Sequence, residues 1–321
     1  MRYSQKNSAY QLVFFVLIIS CLLMPGCKAP TAALAAEDKA GYEVTDAQGT
    51  VIKLAHKPNR IITMSLSTDE IILSMIEPER MAALYYLSGD PGISTIADKA
   101  SRVSVRIKDY NAEALMALHP DLIIIPDWQK ADVIQTLRDV GLPVFVCRGP
   151  ATVMEVKDTI RQIALAIGEP QASEAIVAKM ESDLSVIAAK VAKIPPEKRQ
   201  TVMLVSHMAT YGGKGSLFDD MCRYAGLLNG SAVVGLGKND ALSKEAIVKA
   251  NPDLILMPTW NGGKIKVSEL KEEFANDPSL QSVKAIQHKR LIQLPDQYLY
   301  SATQDITKAI DDMAEAAYSM K

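Results

Sequence analysis

The sequence predicts an α/β protein made of two similar parallel-sheet lobes, joined by a long rigid helix, with a ligand cleft between them. Three observations carry this prediction. First, a sixteen-residue segment occurs twice, as EALMALHPDLIIIPDW from Glu113 to Trp128 and as EAIVKANPDLILMPTW from Glu245 to Trp260. Eight of its sixteen positions are identical without a gap, where residue frequencies alone give roughly one. The copies lie 132 residues apart, far beyond the ~20–50-residue unit of a solenoid, so each belongs to a lobe of its own. Second, short apolar runs alternate with helical patterns in both halves, as a parallel sheet requires. Third, apolar residues at Ile176, Met180, Leu184, Ile187 and Val191 step by three and four between the halves, which marks one long helix.

The first residues read as a targeting segment. Arg2 and Lys6 give a positive start, and Leu12 to Met24 is almost wholly apolar. That run is too short for a membrane-spanning helix, which needs ~20 residues, and fits the core of a signal peptide. Cys27 follows directly, in Leu23-Met24-Pro25-Gly26-Cys27. This stretch resembles a bacterial lipoprotein cleavage site, which implies a diacylated Cys27 after export. Met24 and Pro25 depart from the commonest form of that site, and ordinary cleavage at Ala33-Leu34-Ala35 is the alternative. The resulting division is 1–27 signal peptide with lipoprotein cysteine, 28–57 tether and lead-in, 58–150 N-terminal lobe, 151–196 connecting helices and 197–321 C-terminal lobe. Of the four cysteines, Cys147 and Cys222 remain beyond the leader, one in each lobe, so a disulfide framework is not expected.

In the first lobe, Ile61 to Ser65 reads as a strand. Ser67-Thr68-Asp69-Glu70 then reads as a capping box ahead of the helical residues Ile71, Ile72, Leu73 and Met75. Met81 to Tyr86 is a strand, and Asn111 caps the repeat helix, which ends near His119-Pro120. Leu122 to Pro126 is a continuous apolar strand of the kind buried on both faces. Val133 to Val140 is helical and Leu142 to Val146 the next strand. Thr152 to Ile167 is helical up to Gly168, and the long helix runs from Ser173 to about Lys193, roughly 31 Å at 1.5 Å per residue. In the second lobe Thr201 to Ser206 is a strand, Tyr211 to Gly215 a Gly-rich loop, and Ser216 caps a helix that runs to Gly226. Ser243 caps the second repeat helix, Leu254 to Pro258 is its strand, Leu291 to Leu294 a late strand, and Thr303 to Tyr318 an amphipathic closing helix.

The segment from Arg60 through Met81, both repeat units, the long central helix and LIQLPDQYLYSATQDI from Leu291 to Ile306 together resemble the helical-backbone Fe/B12 group of ABC-importer substrate-binding proteins. The likeness covers roughly residues 58–320. It implies an extracytoplasmic protein, lipid-anchored to the bacterial membrane, that presents a metal chelate to a membrane permease and is not an enzyme. Iron–siderophore or haem is the first expectation for the ligand and cobalamin the second. No resident cofactor is expected. The partners are a permease dimer and the chelate, and the protein is expected to act as a monomer.

Glu113 and Glu245 occupy the N2 position of the two capped repeat helices, where a carboxylate complements the helix dipole. The resemblance implies a further role, salt bridges to arginines of the permease dimer. Trp128 and Trp260 sit just past the carboxyl ends of the repeat strands, where parallel α/β sheets bind ligands, and each offers stacking area and an N–H donor; packing of the lobe edge is the plainer reading. Tyr85, Tyr86, Tyr211, Tyr298 and Tyr300 fall in loops at the same end and suit the walls of a planar chelate. Arg106 and Arg148 could pair with an anionic siderophore or with propionates, and His207 could ligate haem iron.

Several classes are poorly supported. A formal net charge of −2 argues against nucleic-acid binding. Four unclustered histidines, with His56, His119 and His288 in turn-like or polar settings, give little basis for a bare zinc or manganese site. Gly212-Gly213-Lys214-Gly215-Ser216 lacks the ending of a phosphate loop, and neither HExxH nor GxSxG occurs. A secreted enzyme or adhesin on the same scaffold is the remoter alternative, since fold does not fix function.

Overall fold

The computed structural model describes residues 41–206, 211–260, 262 and 266–319. β1 (Tyr42–Thr45) and β2 (Val51–Leu54) form an antiparallel hairpin. β3 (Ile61–Thr63), β4 (Met81–Tyr85), β5 (Arg106–Ile107), β6 (Leu122–Pro126) and β7 (Val144–Cys147) build a five-stranded sheet in the order β5-β4-β3-β6-β7. β8 (Thr201–Leu204), β9 (Leu228–Asn229), β10 (Leu254–Met257) and β11 (Leu291–Gln293) build a four-stranded sheet in the order β11-β10-β8-β9. All pairings in these two sheets are parallel. The two-lobed parallel α/β architecture is therefore as expected.

The sequence repeat has a structural cause. In each copy a short capped helix, Ala112–Met116 or Lys244–Ala250, gives way to a residue in the left-handed region, His119 at φ 47° and Asn251 at φ 45°. Proline follows, which cannot continue a helix, and then aspartate. Asp121 accepts hydrogen bonds from the Asn59 and Arg60 amides at 2.7 and 2.9 Å, and Asp253 accepts from the Thr201 amide at 2.8 Å. Each aspartate thus ties the repeat strand to the start of its neighbour, setting the register of β6 on β3 and of β10 on β8. β6 and β10 are buried along their whole length.

Alternate residues of these strands point to different cores, as a period of two demands. Leu122, Ile124, Leu254 and Leu256 enter one cluster shared by both lobes. Ile123 and Ile125 face a separate cluster on the outer side of the first sheet, and Ile255 and Met257 face one on the outer side of the second. The shared core is filled mainly by the helices Val153–Ala166, Pro170–Val191 and Ile306–Tyr318, with Ile71 to Leu73 of the helix Leu66–Met75 and Phe218 and Met221 of the helix Leu217–Tyr224. The central helix has 22 residues, about 33 Å, and buries Val177, Met180, Leu184, Ile187 and Val191. It begins three residues earlier than read, because Pro170 occupies the first turn, where its missing N–H is harmless.

Three readings need correction. The capping box is displaced: Ser65 caps the helix Leu66–Met75, its hydroxyl accepting from the Thr68 amide at 3.3 Å. Ser65 therefore ends the strand's reach, and Asp69 and Glu70 are fully buried. The stretch read as lead-in contains the β1–β2 hairpin. Its turn residue Asp46 accepts from the Gln48 and Thr50 amides at 2.9 and 2.8 Å, and from the Val146 amide at 3.2 Å, so the hairpin flanks the β7 edge. The closing helix is shorter than read, since Thr303 to Asp305 form a turn ahead of Ile306.

Candidate functional site

The carboxyl ends of the parallel strands of both lobes converge on one cavity of about 230 Å³. The first lobe contributes Tyr85 from the end of β4, Pro126 at the end of β6 with Trp128 just past it, and Cys147 at the end of β7 with Arg148 to Pro150 following. The first turn of the helix Leu66–Met75 adds Ser67 and Thr68, and the second lobe adds Trp260 and the loop residues Asp296, Tyr300, Ser301 and Ala302. Ile71, Leu87 and Ile93 make the remaining wall largely apolar. This is the crevice in which ligands of open parallel sheets sit, built of a mostly apolar lining with a few placed polar groups.

Both tryptophans line this cavity, one from each lobe, and they are held differently. Trp128 lies against Gly149, where a Cβ would stand 2.7 Å from the indole, and leaves 62% of its surface exposed. Trp260 reaches across to the first lobe. Its Nε1–H donates to Asp90 Oδ2 at 2.8 Å, and its ring lies against Gly92, where a Cβ would stand 2.6 Å from it. Only glycine permits either approach. Two more hydrogen bonds join the lobes at the cavity wall: Ser301 Oγ donates to Glu70, and the Ala302 amide donates to Ser67 Oγ at 3.4 Å.

Buried acids surround this junction. Asp69 accepts from the Thr63 and Ser88 hydroxyls and from the Tyr85 amide at 2.8 Å, fixing the end of β4. Glu70 accepts from the Thr95 amide and hydroxyl at 2.8 and 2.9 Å as well as from Ser301. Burial raises both carboxyls above the usual range, and the hydrogen bonds they accept oppose it. Asp296 has a relative exposure of 0%. Its Oδ2 accepts from the Thr259 and Trp260 amides at 3.0 and 2.8 Å, and burial pushes its carboxyl up to about 6. Cys147, also in the wall, has its thiol pushed up to about 12 by burial, so it remains the neutral thiol, a poor nucleophile.

The other expected residues divide. Tyr85, Arg148 and Tyr300 line the cavity with the two tryptophans. Tyr86 packs on Tyr85 at 4.7 Å between ring centroids, with Lys108 Nζ 5.7 Å from its ring. Tyr211 backs Tyr300 at 5.1 Å and donates its hydroxyl to the Leu299 carbonyl at 3.3 Å. Tyr298 lies under Lys308 at 4.9 Å. Tyr86 and Tyr211 thus back lining tyrosines, while Tyr298 packs against the core; none of the three lines the cavity. Arg106 does not line this cavity: its guanidinium donates to the carbonyls of Ala100, Val103 and Val105, so it braces the loop ahead of β5. Arg148 keeps a place at the cavity while donating to Glu155 Oε1 at 3.1 Å. Cys27 and His207 lie outside the described residues. Glu113 and Glu245 are exposed and sit at N2 of their helices, capped by Asn111 and Ser243. Hydrogen bonds from its own backbone and from Ser243 lower the Glu245 carboxyl.

Asp296 and Ser301 were not singled out from the sequence, and Ser67 was read only as a helix cap. For Asp296 a signal existed, because it follows the last strand of a parallel sheet at its carboxyl end, within LPDQYLY.

A family model described as periplasmic binding protein matches residues 76–298. An uncharacterized ABC transporter substrate-binding lipoprotein of Bacillus subtilis, YvrC, is 23% identical over 318 residues, covering 95% of this chain and 96% of the relative. A cobalamin-binding protein of Halobacterium salinarum is 25% identical over 255 residues, covering 76% of this chain and 67% of the relative. Among solved structures, the periplasmic heme-binding protein RhuT from Roseiflexus sp. RS-1, in its apo form, superposes with a TM-score of 0.70 at 21% identity, covering 81% of this chain and 98% of that one.

Proposed function

The chain belongs to the periplasmic binding protein family, as a substrate-binding protein of an ABC transporter, and we propose that its cargo is a metal chelate. In this reading the cleft captures an iron–siderophore complex or haem and delivers it to a permease dimer, with cobalamin as the second choice. The observation that carries it is the composition of the cleft wall. Trp128, Trp260, Tyr85 and Tyr300 surround an otherwise largely apolar cavity at the strand ends, a lining that suits the flat or apolar body of a chelate that brings its own metal ligands. The volume of about 230 Å³ falls below the ~300–1,000 Å³ usual for small-molecule sites. A macrocycle would therefore seat one edge inside and rest its remaining face on the exposed Trp128 at the mouth.

Delivery in this reading uses Glu113 and Glu245. They are solvent-facing carboxylates, one per lobe, related by the internal repeat, and that spacing suits a partner made of two like subunits. The protein acts as a monomer, is held at the membrane by lipid on Cys27, and carries out no reaction of its own. The test of the cargo is native mass spectrometry of the purified protein after incubation with haemin, a ferric siderophore and cyanocobalamin. The reading expects a one-to-one complex with at least one of them; retention of none would sink it.

A further inference from the structure

The first lobe carries two indole seats of one design. At each, an aspartate Oδ1 accepts the amide of a glycine at 2.8 Å, Asp90 for Gly92 and Asp127 for Gly149, and an indole lies on that glycine. Trp128 takes the Gly149 seat from within its own lobe. Trp260 takes the Gly92 seat from the other lobe, and Asp90, with Oδ1 held by Gly92, turns Oδ2 to the indole N–H. The seat is preorganised by its own turn, since the Asp90 amide donates to the Leu87 carbonyl at 3.0 Å and the Ser94 amide to the Asp90 carbonyl at 2.9 Å.

Three features make this crossing releasable. The Trp260 amide is anchored in the second lobe by Asp296 at 2.8 Å, so the indole can leave Asp90 by turning about its own side-chain bonds while both lobes stay in place. Its bond to Asp90 is only part-buried, with Gly92 exposed beneath the ring, whereas the Ser301–Glu70 bond is buried. A hydrogen bond that water can replace has a small net worth, so the Trp260 bond yields before the buried one. The indole is also a wall of the cavity, whose volume of about 230 Å³ is below the ~300–1,000 Å³ usual for small-molecule sites. Turning it outward enlarges that cavity.

Resting on the chelate reading above, we infer that Trp260 is a displaceable clasp and thereby a size filter: it bridges the lobes in the unloaded protein, and a chelate enters by taking the indole's place, so that the Trp260–Asp90 bond is broken in the loaded protein. Only a cargo with a broad planar or apolar body can replace the contacts the indole gives up. A small oxyanion leaves the clasp shut. Unseating the indole lowers the apparent affinity for every cargo by a constant factor, as for any binding-competent state that is a minority.

Two substitutions unseat the indole without touching it. Asp90→Asn can keep an acceptor for the Gly92 amide while setting an NH₂ against the indole N–H. Gly92→Ala places a Cβ 2.6 Å from the ring. Both variants should bind the chelate about three- to tenfold more tightly than the wild type while melting at a lower temperature, a combination that a merely structural role would not give. Heteronuclear NMR reads the clasp directly, because the chain has two tryptophans and Trp128→Phe identifies the Trp260 indole signal. In the unloaded wild type this N–H should exchange slowly with solvent, and in Asp90→Asn rapidly. Gallium protoporphyrin, a gallium trihydroxamate and cyanocobalamin, all diamagnetic, serve as chelate probes, with molybdate as the small one. Whichever chelate binds should abolish the protection, and molybdate should leave it unchanged. A Trp260 N–H that stays protected in the loaded protein, or seat variants that bind no more tightly, would overturn the inference and leave the chelate reading standing. Loss of protection with molybdate would overturn the size filter in the same way. Saturable binding of none of the three chelates would overturn both.

Discussion

Trp128 and Trp260 share a position in the repeat, yet one leaves its indole open to solvent and the other ties its Nε1 to Asp90 in the opposite lobe. Their substitutions should therefore differ in kind. Trp128→Ala is expected to weaken chelate binding by about 1–2 kcal/mol, the worth of one stacking partner, with the melting temperature unchanged. Trp260→Phe keeps the ring but deletes the bond to Asp90, and should lower thermal stability by about 1–3 kcal/mol; equal melting temperatures would show that the bond does not hold the lobes. Asp296 adds a pH signature. Its folded-state carboxyl, near 6 through burial, lies above an unfolded value of about 3.9. Its stabilising contribution is thus complete below about pH 4 and is lost as pH rises through about 6. Asp296→Asn should gain on the wild type across that window by about 2–3 kcal/mol in unfolding free energy, read from chemical denaturation at each pH. A constant difference would contradict the assignment. At this scale the aromatic wall was legible, because Trp128 and Trp260 follow strands that the repeat makes unmistakable. Asp296 was legible only by its place after the last strand, since nothing in a sequence says that a carboxylate there is buried and held by the Thr259 and Trp260 amides.

At the level of elements, the repeat was the most readable feature because each of its parts has a local cause: a cap, a left-handed residue, a proline, and an aspartate that bonds the adjacent strand. The elements that were missed are those whose stability is not local. β5 and β9 are two residues each and exist only through pairing with β4 and β8. The β1–β2 hairpin is fixed by Asp46 on Val146, a contact about a hundred residues away in sequence. The helix after β3 misled for a related reason, as Asp69 and Glu70 fit a surface capping box equally well until their partners Thr63, Thr95 and Ser301 are seen. The exposed first turns of the two repeat helices carry the delivery proposal. Changing Glu113 or Glu245 alone to Ala should lower chelate uptake in cells, and changing both should lower it further, with chelate affinity of the isolated protein unaffected. Wild-type uptake by the double variant would remove these carboxylates from the proposed permease contact.

Across the whole molecule, the two sheets are not independent bodies, for their inner faces and the helices packed on them share a single core. A 22-residue helix packed along that core resists hinging, and the bonds of Trp260, Ser301 and Ala302 to the first lobe add to that resistance. Large domain closure of the hinge type is thus disfavoured, and cargo is expected to enter by small adjustments at the mouth. Membrane attachment is a separate matter, proposed to depend on Cys27: Cys27→Ala should leave the protein unprocessed or release it from the membrane fraction, because stable anchoring needs the acyl chains. The central claim, that the cleft carries a metal chelate, is tested most directly by titrating the described cleft through its own tryptophans. Coloured chelates added to the wild-type protein should quench Trp128 and Trp260 fluorescence saturably at one chelate per protein, with the affinity reduced in Trp128→Ala. Saturation by a bare metal ion or oxyanion with no response to any chelate would contradict it.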